Sequence, residues 1–316
     1  MDKFQVIMSI NNLSKMYKGM KAVDNLSFDV YKGEVFGFLG PNGAGKTTTI
    51  NMICGLLKAD WGDIVIDGIS IKDRPKEARS LIGMCPQNIM VWKDLTCMEQ
   101  IEFMGSMYDV SVKEARKRGM ELLEAMGLME KKDKKAKALS GGMQRRLNII
   151  LALIHNPKII ILDEPEAGLD PQSRVLVREY IKKLASNKTV VLTTHNMDEA
   201  ERMADRVAIL DRGKLLDIDT PDNLKNSLNA GDTLEVKSLG IGQDIAEHVK
   251  NLLCKRVDKV SFSDETFYIT GENLSERMTD IFGIFSSEKV SVEDVRMKRK
   301  TLEDVFIHLT GRGLRE

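Results

Sequence analysis

The sequence predicts an α/β fold in two parts, and three observations carry the prediction. Gly40-Pro41-Asn42-Gly43-Ala44-Gly45-Lys46-Thr47 fits the pattern G-x-x-x-x-G-K-[ST], set between an apolar run at 34–39 and a helical segment at 47–57. From Leu139 onward, aliphatic strands alternate with helices, the order of a mostly parallel sheet covered on both faces. Beyond Thr220-Pro221 the order becomes strand, helix, strand, strand, helix, strand. The expected architecture is a P-loop NTPase core with an antiparallel β subdomain and a helical subdomain over residues 1–220. A small α+β domain of ferredoxin-like order follows over 221–316.

Each element has a local reason. Alternating and β-branched residues predict strands at 6–10, 23–30, 34–39 and 63–67, the last followed by the turn pair Asp67-Gly68. Three- and four-residue apolar spacing (Leu122, Leu123, Met126) predicts helix between 98 and 127, with Gly127 as its C-terminal cap. The basic run 131–137 reads as a solvated linker or helix face. A helix at 142–155 ends at Asn156-Pro157, and the aliphatic run 158–162 reads as a strand buried on both faces. Pro171 opens a helix, 189–193 is a buried strand, 198–204 is helical, and 206–210 is a strand. In the second part, strands are expected at 233–237, 259–262, 267–269 and 291–297. Helices are expected at 244–254, 274–285 and 302–309.

Bulk composition narrows the function class. The chain has 316 residues, 42% apolar and 30% charged, which suits a globular protein with room for two cores. Lys+Arg and Asp+Glu both total 47, and a net charge of zero argues against a nucleic-acid partner. Cys54, Cys85, Cys97 and Cys254 form no C-x-x-C pair, so free cytosolic thiols are expected rather than a zinc site or disulfides. No apolar run approaches the roughly 20 residues of a membrane helix, and residues 1–4 begin no signal peptide. The chain is expected to stay inside the cell, leaving any membrane crossing to another polypeptide.

The chemistry-bearing residues are phosphate-directed. A strand, a glycine loop and a helix start aim successive backbone N–H groups at one spot, with positive potential from the helix end. Lys46 would reach the β- and γ-phosphates, and Thr47 would offer its hydroxyl to Mg²⁺. Ile159-Ile160-Ile161-Leu162-Asp163-Glu164 is an aliphatic strand ending in two carboxylates. Beside a phosphate loop, Asp163 can hold Mg²⁺ through water, while Glu164 orients or deprotonates the attacking water. Ser140-Gly141-Gly142 opens a helix and makes a second anion site, although a plain serine N-cap explains the same residues. Gln87, after a strand-like run, and His195, after the buried strand 190–194, would each read as ordinary if met alone.

In this order the pieces resemble the ATP-binding cassette family of transporter ATPases, over residues 10–219. Residues 40–47 match the phosphate loop, Gln87 the Q-loop, 139–144 the signature motif, 159–164 the acidic strand with its catalytic glutamate. Ala167-Gly168-Leu169-Asp170 match the D-loop and His195 the switch histidine. Tyr17 lies where the family stacks an aromatic on adenine. The resemblance implies ATP and Mg²⁺ as ligands. Tyr17, Gly40, Asn42, Gly43, Ala44, Gly45, Lys46, Thr47, Thr48 and Gln87 would bind nucleotide, together with Ser140, Gly141, Gly142 and Asp170. Thr47, Gln87 and Asp163 would bind the metal, and Glu164, His195 and Lys46 would be catalytic. It further implies a homodimer or a paired ATPase, each nucleotide lying between one subunit's phosphate loop and the other's signature residues, on a separately encoded permease at the inner face of the membrane. Relatives often carry threonine where this chain has Glu166, a departure expected to alter local hydrogen bonding. The tail, Thr301-Leu302-Glu303-Asp304-Val305-Phe306-Ile307-His308-Leu309-Thr310-Gly311, and Leu139-Ser140-Gly141-Gly142-Met143-Gln144-Arg145-Arg146-Leu147 resemble the daunorubicin-exporter-like, drug-resistance branch. An exporter of drugs, lipids or other small molecules is therefore expected. A cassette ATPase acting on ribosomes or DNA is the alternative, but such proteins usually have two cassettes or a long inserted coiled coil.

Overall fold

The computed structural model describes residues 5–228, 231–238 and 240–311. Contacts divide the described residues into two compact units, 5–221 and 222–311.

The first unit holds two sheets. Met20–Tyr31, Val6–Tyr17, Trp61–Ile66 and Ile69–Ser70 form an antiparallel sheet in that spatial order. The two long strands are joined by a two-residue turn, Lys18-Gly19, with φ of 45° and 86°, the left-handed pair that suits a tight hairpin. Both strands run further than their alternating segments suggested, because register shifts absorb the irregular stretch beyond Ile10.

The second sheet has the order Lys214–Asp219, Arg206–Asp211, Val35–Leu39, Thr189–Thr194, Ile159–Asp163, Ile82–Cys85. Its five central and far strands are parallel, and Lys214–Asp219 is an antiparallel edge. That edge strand was not anticipated; it is short, half-buried and paired on one side only. Alternation explains the double burial of the central strands. Ile159 and Ile161 pack with Phe36, Phe38 and Ile50 in one cluster, while Ile160 and Leu162 pack with Leu147, Ile150 and Leu192 in another.

Helical segments differ from expectation mainly at their ends. The pattern at 98–127 folds as two helices, Cys97–Met107 and Val112–Ala125. Asp109 takes φ 57° between them, and Ser111 caps the second through the Glu114 N–H at 3.3 Å. Gly127 closes it in the left-handed region at φ 61°. The phosphate-loop helix is Lys46–Ile53, shorter than 47–57, because the N–H groups of Leu56 and Leu57 both turn back to Asn51 O at 2.9 and 3.0 Å. The signature helix is Gly141–Leu153 and the next is Pro171–Ala185. The basic run 131–137 joins two single turns, Met129–Lys131 and Ala136–Ala138, with Lys135 bridging to Thr96 between them.

In the second unit, Lys259–Ser263, Thr266–Gly271, Asp232–Lys237 and Asp294–Lys298 form an antiparallel sheet in that order. Helices Gln243–Leu253 and Leu274–Ser287 complete the order strand, helix, strand, strand, helix, strand. Their apolar sides (Val249, Leu253, Ile281, Phe285) bury against Leu234, Val236, Phe267 and Ile269. A last helix, Leu302–Thr310, has a capping box between Thr301 and Asp304. No helix among the described residues is long and apolar enough to cross a membrane.

Candidate active site

Four neighbouring parallel strands deliver the site residues to one edge of the sheet. Register aligns Leu39 with Thr194, Asp163 with Thr193, and Cys85 with Leu162. The phosphate loop, His195, Glu164 and Gln87 each follow the C-terminal end of one of these strands, the edge where open α/β sheets bind ligands.

The loop is shaped by what glycine omits. A Cβ on Gly40 would lie 2.3 Å from Leu210 O, so no side chain fits where the loop crosses that strand. Gly45 has φ 99° immediately before the helix. The Thr49 N–H and hydroxyl both donate to Gly45 O at 2.9 Å. The N–H groups of Lys46, Thr47 and Thr48 stand at the helix start, where no intrahelical acceptor exists and the helix dipole is positive. The Lys46 ammonium donates to Gly40 O at 2.6 Å and Pro41 O at 3.0 Å. Burial lowers its pKa from the usual lysine value, and the charges of Glu164 and Asp163 oppose that shift.

Tyr17, the loop from Asn42 to Thr48, Gln87 and Glu164 line one cleft of about 560 Å³. Tyr17 reaches it because the Lys18-Gly19 turn ends its strand there. The cleft also includes Met20 and Arg212, which the sequence did not single out. Arg212 sits in the turn before the unanticipated edge strand, with φ 48°.

Glu164 is the hub of the acidic end. Its backbone takes φ 47°, rare for a non-glycine residue, and its N–H donates to Thr193 O at 3.2 Å and Thr193 Oγ1 at 3.0 Å. Gln87 Nε2 donates to Oε2 at 2.8 Å, and His195 Nδ1 lies 2.7 Å from Oε1. The buried Asp163 carboxylate accepts from the Thr193 hydroxyl. Lys46, Gln87, Glu164 and His195, distant in sequence, are thus brought together.

Ser140, Gly141, Gly142 and Asp170 do not line this cleft. Ser140 caps its helix by accepting from the Met143 N–H at 3.3 Å. A Cβ on Gly142 would meet Ser173 Oγ at 2.8 Å and Asp170 Oδ2 at 3.2 Å, so signature and D-loop are packed against one another. Asp170 caps the following helix, and hydrogen bonds from Ser173 lower its pKa. Glu166 is fully buried and paired with Arg178 through two bonds, Nε to Oε1 at 3.0 Å and Nη2 to Oε2 at 2.8 Å. Arg145, within the signature stretch, has no role that its motif announces; it is buried and donates to Asp163 O and Glu164 O.

The sequence and structure of known proteins resolve the family. The ABC transporter family model matches residues 23–167. The linearmycin resistance ATP-binding protein LnrL of Bacillus subtilis (strain 168) is 36% identical over 311 residues, 98% of this chain and 100% of that protein. The chain belongs to the ABC transporter ATP-binding proteins.

This ABC ATPase is also 36% identical over 305 residues to the daunorubicin resistance ATP-binding protein DrrA2 of Streptomyces coeruleorubidus, covering 95% of this chain and 93% of that one. A dimeric ATP-binding cassette in a post-hydrolysis state, bound to ADP and Pi, is 31% identical with a TM-score of 0.62, covering 67% of this chain and 98% of that one. ABC ATPases of this kind bind ATP and hydrolyse it. The family implies Mg²⁺, and the donors present fit it. Thr47 and Gln87 share the cleft and Asp163 ends the adjoining strand, a sparse all-oxygen set. Mg²⁺ is held by such sets together with water and substrate phosphates, rather than by a protein cage.

Proposed function

We propose that this ATPase works as a dimer with composite sites and drives export through a separately encoded permease. Residues 1–220 serve as the nucleotide-binding domain and 221–316 as an accessory domain. Phosphoryl transfer needs positioning and charge neutralisation more than covalent help. The loop N–H groups from Asn42 to Thr48 cradle the phosphates, and Lys46 moves from its carbonyl partners onto the β- and γ-phosphates. Tyr17 packs on the adenine. Thr47, Gln87 and Asp163 hold Mg²⁺, which when bound neutralises phosphate charge. Glu164 acts on the attacking water, and His195 orients Glu164 while facing the γ-phosphate. Ser140, Gly141, Gly142 and Asp170 complete the other subunit's site.

The observation that carries this reading is the pair of bonds that Gln87 and His195 make to Glu164, which lines the same cleft as Lys46. The exposure of Ser140 and Gly141 outside that cleft supports a site shared between subunits. Export is supported by the tail motif and by the resistance names of the two relatives. Placement on the inner membrane face follows from the permease partner.

Glu164→Gln is the decisive variant. It should bind MgATP with near-normal affinity and lose turnover by at least ~10²-fold. Mixing a Lys46→Ala subunit with a Gly141→Asp subunit should restore turnover at one of two composite sites. Normal turnover by Glu164→Gln, or no recovery in the mixture, would refute the mechanism. Co-purification with a multispanning permease and ATP-driven transport into inverted vesicles tests the export role.

A further inference from the structure

Arg145 lies on the helix Gly141–Leu153 with 1% of its surface exposed. Its partners are five backbone carbonyls: Nε donates to Pro165 O at 3.3 Å, Nη1 to Pro86 O at 2.6 Å and Gln87 O at 2.8 Å. Nη2 donates to Asp163 O and Glu164 O, both at 2.6 Å. Five N–H donors thus meet five acceptors, the full capacity of a guanidinium.

Those carbonyls come from two separate loops, one carrying Gln87 and the other carrying Glu164. The same loops meet again through the Gln87–Glu164 side-chain bond at 2.8 Å. One turn further along the helix, Asn148 accepts from the Met90 N–H at 3.3 Å and donates to Cys85 Sγ at 3.2 Å. One face of the signature helix therefore grips both loops. A buried cation costs desolvation energy that an apolar side chain of this size would avoid. Lysine has only three donors on a point charge, and glutamine has two, so neither can span both loops as a planar fork does.

We propose that Arg145 is a positioning residue that ties the orientation of Glu164 and Gln87 to the helix beginning at Ser140-Gly141-Gly142. Movement of that helix on engaging a second subunit's nucleotide is thereby carried into the position of the same subunit's Glu164. The inference rests on the reading of Glu164 as the group acting on water.

The test uses the full chain carrying Arg145→Lys or Arg145→Gln. Turnover kinetics are measured with MgATP, binding by displacement of a fluorescent nucleotide, and loop order by hydrogen exchange. A small displacement of a reacting group costs up to ~10²-fold, so kcat should fall by about 10–100-fold with KM within about threefold. Exchange should quicken at 84–90 and 163–167 and stay unchanged at 40–48. Added to Glu164→Gln, either substitution should cause no further loss, the non-additivity expected of groups acting as a unit. If Glu164→Gln is inactive while both Arg145 variants keep kcat, the inference is overturned and the reading of Glu164 stands. A loss that tracks only the folded fraction, with exchange rising throughout the unit, overturns it equally. If Glu164→Gln keeps turnover, the reading of Glu164 fails and takes the inference with it.

Discussion

Replacing Arg178 by methionine should destabilise the first unit far more than replacing its partner Glu166 by threonine. The two side chains are not equivalent: that of Glu166 is 0% exposed and that of Arg178 is 22% exposed. Removing Arg178 strands a buried carboxylate that has lost both bonds, at 3.0 and 2.8 Å, with the charge of Glu199 close enough to interact. Breaking a buried pair from one side costs about 3–5 kcal/mol. Removing Glu166 instead leaves an arginine that can turn toward water, at about 1–2 kcal/mol. For a domain of this size each kcal/mol moves Tm by roughly 2–4 °C, so Arg178→Met should lower it by about 6–20 °C and Glu166→Thr by about 2–8 °C. The double variant should fall well short of the sum, since coupled neighbours interact by about 0.5–3 kcal/mol. Both tryptophans, Trp61 and Trp92, lie in the first unit, so their fluorescence follows its unfolding alone. Equal, additive losses from the two single substitutions would refute the account.

Three further outcomes are expected. Native protein should show one fast-reacting thiol with a disulfide reagent at pH 8: Cys254 is exposed, while burial pushes Cys54 up to about 12 and Cys85 up to about 11 and also raises buried Cys97; two or more fast thiols would contradict this burial. His155 stacks on Tyr108 with ring centroids 3.9 Å apart and meets Ile82 O at 2.9 Å, and burial lowers its pKa from 6.5, helped by the charges of Lys188 and Arg118. The unfolded chain then takes up the proton first as pH falls, so this stability is full above the unfolded pKa of 6.5 and is lost as pH falls through the folded value. His155→Gln should flatten the fall in urea midpoint between pH 7 and 5, and an unchanged slope would remove the assignment. Gly40→Ala should cost about 1–3 kcal/mol by overpacking against Leu210 O and weaken MgATP binding at least tenfold; wild-type affinity in a nucleotide titration would show that the loop yields more easily than its 2.3 Å approach implies.

Contiguous features were legible in the sequence. The phosphate loop and the acidic strand end read from their own residues, whereas Gln87, the signature residues and His195 were singled out through the family resemblance, and residues 158–162 read as doubly buried because their aliphatics run without interruption. Features set by irregular backbone were less visible. Register shifts lengthened the first hairpin, Asp109 split one helical pattern into two, and the half-buried edge strand Lys214–Asp219 offered no strong alternation. Arg212, in the turn that introduces that strand, was missed with it. Glu166 was recognised as a departure, but its pairing with Arg178 required the D-loop to fold back on its own helix.

The sequence by itself determined the nucleotide chemistry, because a phosphate loop is a local object: eight consecutive residues set its backbone path. Tertiary structure alone decided how that chemistry is held. Gln87 and Glu164 are 77 positions apart, and Glu164 and His195 are 31 apart; the register of parallel strands brings them together. Arg145 is the plainest case. Its acceptors are main-chain carbonyls, which every residue possesses, so no pattern of side chains announces them and only the folded backbone places five within reach of one guanidinium.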